Sequence, residues 1–281
     1  MQGIYTMVHY VSTHPVGQDF PKASARKAGS GQAAETGVCL LRSVGYPLVL
    51  GLLLLLSCNT GQQAGLTGTP VGGLISADTA WTAANSPYVM VSSAVVAQGA
   101  TLAIGPGVTV KFNPGLSLQV NGTLLARGNP GAPIRFTSSQ ADPAPGDWGF
   151  ILFADSSADA RYDEAGNYLS GSVLEHCIIE FAGAGRGYAL GVDRAGPLVS
   201  YCTIKDTAGS GIQLRAGTAR ITNNTISGNT ASGDGGGVYI NSTPSGGHAT
   251  LSANTIAGNV AAGNGGGIYV DNLSGATTLG K

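Results

Sequence analysis

The segments ITNNTISGNTASGDGGGVYI, starting at Ile221, and LSANTIAGNVAAGNGGGIYV, starting at Leu251, are close to copies of one another. Such a repeat means one structural unit stacked on the next, because a single unit of short apolar stretches cannot bury its own hydrophobic face. Aligning on a six-residue core gives four copies, LEHCII at Leu174, VSYCTI at Val199, ITNNTI at Ile221 and LSANTI at Leu251, which begin 25, 22 and 30 residues apart. A regular core with an irregular period places the insertions in loops between short strands.

Each core carries an apolar residue at positions i and i+5, with Cys177, Cys202, Asn224 and Asn254 at i+3. Positions i+3 and i+5 share a strand face, but the odd step from i to i+3 requires a bend if all three point inward. Gly-rich, β-branched composition disfavours a helix. A second strand follows the glycines: alternation turns Ile212, Val238 and Ile268 inward with Leu214, Ile240 and Val270, and turns Gln213, Tyr239 and Tyr269 outward. Leu190-Gly191-Val192 is the equivalent one unit earlier.

If the units coil in parallel and in register, like residues stack about 4.8 Å apart. Asn224 over Asn254 then forms an amide ladder at the bend, serving backbone groups that the turn removes from strand pairing. Cys177 and Cys202 share that inward rank and read as small buried thiols, although stacked spacing also permits a disulfide. Gly235-Gly236-Gly237 and Gly265-Gly266-Gly267 supply positive φ for sharp turns. They lack a following Lys-Ser/Thr and are not a phosphate loop.

From Tyr88 to Phe136 run brief β-rich pieces separated by turns such as Asn113-Pro114-Gly115 and Asn129-Pro130-Gly131. In Val108-Thr109-Val110-Lys111-Phe112 alternation buries Val108, Val110 and Phe112. A sandwich remains open for this half, but nothing between Phe136 and Leu174 reads as a linker, so residues 78–281 are taken as one elongated domain. The pieces SPYVMVSSAVVAQGATLAIGPGVTVKF, LSLQVNGTLLARGNPGAPIRFTSS, GDWGFILF and LEHCIIEFAG resemble the opening of exported bacterial right-handed parallel β-helix proteins. NTISGN and GGGVYI resemble units of the pectin-lyase-like β-helix superfamily. The resemblance covers roughly Ala80 to Lys281. It implies an all-β fold, a right-handed parallel β-helix built as a solenoid of short strands. It implies little about activity, since the superfamily includes polysaccharide lyases, hydrolases, adhesins and autotransporter passengers.

Upstream, Val44 to Leu56 is almost wholly apolar but shorter than a bilayer span. Leu55-Leu56-Ser57-Cys58 resembles a bacterial lipobox, which makes Cys58 the expected lipidated residue after cleavage of a signal over 38–57; a buried apolar strand or an uncleaved anchor is the alternative. Residues 1–37 are polar and unpatterned, and translation is expected to begin downstream, at Val38 or Val44. Residues 58–77 read as a flexible tether, with Asp78 to Asn85 capping the first coil and Trp81 as its lid. Gly275 to Leu279 resembles the approach to another unit, so the chain is read as a piece of a longer array.

Residues 58–281 hold ten Lys/Arg and thirteen Asp/Glu, a formal charge of −3. This near-neutral surface carries no basic patch for nucleic acid. Stacking aligns Asp193, Arg215, Asn241 and Asp271 in one outward column and Glu180, Lys205, Ser227 and Ala257 in another. Asp193-Arg215 and Glu180-Lys205 are then surface ion pairs worth about 0–1 kcal/mol each. Asp155, Asp159, Asp163 and Glu164 read as solvated acids or weak calcium ligands, and His176 and His248 are too isolated for a metal motif.

Three roles remain open. The broadest is an exported protein of structural or adhesin type, monomeric and lipid-anchored to a membrane at the bacterial cell surface or in the periplasm, or secreted, with a polysaccharide or a cell-surface protein as partner and no cofactor. Within it, Gln213, Tyr239 and Tyr269 form an outward stripe on which sugar faces can lie. The alternative is a polysaccharide lyase: the resemblance implies Ca2+ held by acids and an arginine base, and Asp193, Asp206 and Arg215 supply those residue types. They match no catalytic motif, however, and Asp206 follows a strand at a different corner.

Overall fold

A computed structural model describes residues 67–241 and 249–271, together with the backbone of Thr278–Leu279. The architecture is a parallel β-helix of three faces. The first face contains Thr79–Trp81, Thr101–Ile104, Thr123–Arg127, Val173–Glu175, Leu198–Ser200, Arg220–Thr222, Thr250–Ser252 and Thr278–Leu279 in spatial order. The second contains Thr109–Phe112, Ile134–Ser138, Cys177–Glu180, Thr203–Lys205, Thr225–Ser227 and Thr255–Ala257. The third contains Leu118–Val120, Ile151–Phe153, Tyr188–Asp193, Ser210–Arg215, Val238–Asn241 and Ile268–Asp271. Tyr88–Val96 joins the last two into one sheet, pairing with Thr109–Phe112 through its first half and with Leu118–Val120 through its second.

The repeat cores sit where first face turns into second. Leu174, Val199, Ile221 and Leu251 stack in register on the first face, and Ile179, Ile204, Ile226 and Ile256 on the second. The bend between them is a single left-handed residue, His176, Tyr201, Asn223 or Ala253, with φ of 49°, 54°, 57° and 55°. That one residue corrects the odd spacing and lets both strands aim inward. It also takes the next backbone N–H out of the strand ladder. In its place, Cys202 N–H donates to Asn224 Oδ1 at 2.8 Å and Asn224 N–H to Asn254 Oδ1 at 3.0 Å. The amide nitrogens complete the ladder: Asn224 Nδ2 donates to Asn254 Oδ1 and Val199 O, and Asn254 Nδ2 to Ile221 O. In the earlier coil, Cys177 N–H donates to Cys202 Sγ at 3.4 Å; both thiols are free, and burial pushes that of Cys177 well up.

A second ladder runs five residues further along the same units. Asn229 Nδ2 donates to Asn259 Oδ1 at 2.9 Å and to Ile204 O, while Thr207 Oγ1 donates to Asn229 Oδ1 at 2.8 Å. Each NTISGN unit therefore spells two ladder residues. In the glycine triplets only Gly235 and Gly265 have positive φ. Gly236 and Gly237 serve close stacking instead, since a Cβ on either would lie 2.5 Å from the carbonyl oxygen of Gly266 or Gly267.

The N-terminal coils are stabilised by aromatic rings. Trp148 is fully buried, stacks on Phe112 at 4.0 Å between centroids, and donates its indole N–H to Glu180 O. Trp81 is buried in the strand Thr79–Trp81 and stacks on Tyr88. Residues 69–75, expected as part of a tether, instead form a strand, Thr69–Ile75, paired in parallel with Tyr88–Val96. Gly72 approaches Ser92 so closely that a Cβ would lie 2.5 Å from its carbonyl oxygen, so glycine here serves packing. The edge of the first coil is thereby covered on one side by this strand and, on the first face, by Thr79–Trp81, which pairs with Thr101–Ile104 and lies within the expected cap Asp78 to Asn85. The acidic insertion forms a hairpin, Arg161–Tyr162 with Tyr168–Ser170, fastened to the first face by Arg220 over the Tyr162 ring at 3.7 Å and Arg127 over Tyr168 at 5.4 Å. The expected signal at 38–57 and the expected lipidation residue Cys58 lie outside the described residues.

Asn224→Ala leaves the Cys202 N–H and the Val199 carbonyl unpaired in a dry interior. It is expected to lower unfolding free energy by about 1–3 kcal/mol in urea titrations, whereas Lys111→Ala on the outer surface changes it by less than about 0.5 kcal/mol.

Candidate functional site

The outward column of the third face runs Val95, Gln119, Leu152, Gly191, Gln213, Tyr239 and Tyr269, each one coil beyond the last. The step at Gly191 leaves a notch. Tyr188 folds outward over it while Ala189 joins the core, and a Cβ on Gly191 would lie 2.4 Å from Tyr188 Cε2. Phe150 packs against the Tyr188 ring at 5.4 Å, and the Arg186 guanidinium lies 5.1 Å from the Phe150 centroid. Burial pushes the Tyr188 phenol above its ordinary range, and Arg186 Nη1, 3.5 Å from its oxygen, opposes that shift.

Beside this column stands a second, Asp193, Arg215, Asn241 and Asp271. Arg215 Nε is 3.7 Å from Asp193 Oδ1, a loose ion pair, and Asp193 Oδ1 is buried without a hydrogen bond. Arg194 reaches the same oxygen at 3.9 Å and Asp155 at 3.3 Å. Arg186, Tyr188, Asp193, Gln213 and Arg215 line the notch, which continues past Arg186 and Gln213 into a shallower hollow bounded by Ser210, Asp234 and Tyr239. The Tyr239 and Tyr269 rings stack at 5.8 Å and 25°. Tyr239 donates its hydroxyl to Asp271 Oδ2 at 3.2 Å, and partial burial raises its phenol.

The structure thus brings Asp193 and Arg215 together and places Gln213, Tyr239 and Tyr269 in one stripe next to them. Asp206 is elsewhere: it occupies a left-handed bend after the second-face strand Thr203–Lys205 and accepts from Lys205 Nζ at 2.8 Å. Asp193 ends a third-face strand and Asp206 follows a second-face strand, so the two acids stand on different faces, and among the described residues no three His, Cys, Asp or Glu side chains converge. Asp159 accepts from Gly196 N–H, and Asp163 closes a turn through Asn167, which holds its carboxyl below the ordinary range. Glu180, expected as a surface partner of Lys205, is buried. Arg135 Nη1 at 2.6 Å, Thr137 Oγ1 at 2.9 Å and Lys205 Nζ at 3.4 Å close over it, so it ties three coils together.

The residues that pattern reading missed are Arg186, Tyr188, Phe150 and Asp234. Three of them lie in or beside glycine-rich turns outside the repeat core, where alternation carries no information. The available signal was Gly191, the one residue without a side chain in an otherwise filled outward column.

Residues 73–167 match the model of a pectate-lyase-like β-helix domain, and residues 154–280 match that of a right-handed β-helix region. No curated protein and no solved structure matches the chain. With the parallel faces described above, these matches define the fold class: a right-handed parallel β-helix.

Gly191→Ala is expected to displace the Tyr188 ring and destabilise the fold by about 1–3 kcal/mol in denaturant titrations. In a Tyr188→Ala background most of that cost disappears, and a double-mutant cycle measures the coupling.

Proposed function

We propose that the third face is a glycan-binding groove on an exported β-helical surface protein. One observation carries this reading: an unbroken outward stripe in which a polar notch, Gln213 and two stacked tyrosines follow one another at the spacing of the coils. Sugar rings present an apolar face and a hydroxyl edge, and this stripe offers aromatic surface for the first and amide, hydroxyl and guanidinium groups for the second. A linear glycan laid along the axis meets a new side chain at each strand crossing, about every 4.8 Å. The groove is complete within one copy, and the body is read as a monomer.

The calcium-dependent lyase reading has less support, because its two acids stand on different faces and Arg215 faces only Asp193. Anchorage through a lipid on Cys58 belongs to the same proposal. It rests on the apolar run Val44 to Leu56 ending in Ser57-Cys58 and puts the groove outside the cytoplasm, at the cell surface or in the periplasm.

On a glycan array the chain is expected to bind a restricted set of oligosaccharides, and Tyr239→Ala with Tyr269→Ala to weaken that binding about tenfold while the circular dichroism spectrum is retained. Undiminished binding by the folded double variant rejects the stripe. For the anchor, cells fed a labelled fatty acid should label the wild-type chain and not Cys58→Ala; equal labelling of both rejects lipidation at that residue.

A further inference from the structure

Charge is distributed unevenly along the groove. At the notch, Arg186 and Arg215 stand against a single carboxylate, Asp193, while Arg194 is shared between Asp193 and Asp155. Arg186 has no carboxylate within ion-pairing distance among the described residues; its guanidinium lies over Phe150 and beside the Tyr188 hydroxyl. The Gln213 amide between the two arginines has no hydrogen-bond partner among the described residues. These are donors left over after the fold has satisfied itself.

The tyrosine end is opposite in sign. Asp271 accepts from the Tyr239 hydroxyl and the Asn241 amide, and Asp234 from the backbone and amide of Asn264. Neither has a cationic partner among the described residues. The groove therefore passes from net positive to net negative over two coil steps, a distance close to the Debye length of about 10 Å at ordinary salt. Fields on that scale are incompletely screened.

We infer that the groove selects a glycan carrying an isolated anionic sugar followed by neutral ones; this rests on the glycan-binding reading above. The acidic substituent sits in the notch between Arg186 and Arg215, whose planar forks match a carboxylate. Gln213 takes an adjacent hydroxyl. The next two units lie over Tyr239 and Tyr269, where a further carboxylate would face Asp271 and Asp234. A chain with an acid on every unit is disfavoured at that end, and a neutral chain leaves the notch donors without an acceptor.

Titration calorimetry on the full chain tests this with three probes: gellan oligosaccharides, which carry one glucuronate per repeat; the same oligosaccharides after carboxyl reduction; and oligogalacturonate, acidic on every unit. Native gellan fragments are expected to bind about tenfold more tightly than the reduced ones and more tightly than oligogalacturonate. Arg186→Gln with Arg215→Gln should abolish the preference for native over reduced fragments. Asp271→Asn, which keeps an acceptor for Tyr239, should strengthen oligogalacturonate binding at least about threefold. Equal affinity for native and reduced fragments, or tighter binding of oligogalacturonate by the wild-type chain, overturns the inference while leaving glycan binding intact. So does an array on which only neutral or only fully acidic glycans bind. Absence of binding to every glycan removes the underlying reading as well.

Discussion

The structure depends on the in-register stacking of coils at the left-handed bend. A strand that turns inward from both sides of a corner must place one residue at positive φ, and that residue withdraws a backbone N–H from the regular ladder in a region without water. The Asn224 and Asn254 side chains restore the bond from the neighbouring coil, so each coil satisfies a deficit created in another. Stability is consequently cooperative along the axis, and a unit detached from its neighbours retains both the strain of the bend and the unpaired group. The thiols of Cys177 and Cys202 occupy the same rank with a weaker acceptor, and in these coils large rings and the buried Glu180 network provide much of the contact between turns.

This scaffold has a direct consequence for the outer surface. Because the interior requires aliphatic columns in strict register, the outward residues are also held in straight columns, whatever they are. The third face therefore becomes a ruler of side chains, with its chemistry set by a few departures from regularity. A glycine at 191 opens a notch, an arginine on a glycine-rich turn overhangs it, and aspartates flank the tyrosines beyond. Gly191 is needed to make room for the Tyr188 ring, but the arginine and the aspartates are not required by the fold, whereas the inward partners Leu190, Ile212 and Val238 are.

Much of this was legible from the repeat. The period and the alternation of Ile212, Leu214, Val238 and Ile240 gave strand positions, faces and the stacking of Gln213 under Tyr239 under Tyr269. Less legible were residues whose role depends on a different part of the chain. Thr69–Ile75 reads as part of a loose Gly-, Thr- and Gln-rich tether because its glycines look like flexibility; only the approach of Gly72 to Ser92 shows that this glycine allows close pairing. Glu180 reads as a surface acid because alternation points it outward, yet Arg135, Thr137 and Lys205 enclose it from two other coils. The same applies to Asp206, grouped with Asp193 by residue type and separated from it by a corner.

By itself, then, the sequence determined the repeat and the inward and outward sides of its strands, since local periodicity and backbone preference are properties of neighbouring residues; the right-handed β-helical body was what its resemblance implied. The tertiary structure alone decided which outward residues share a groove, that Tyr188 folds over Gly191, and that Arg186 and Asp234 border the same stripe. Those facts depend on loops whose lengths vary from unit to unit, and a loop's path is set by what it packs against rather than by its own pattern.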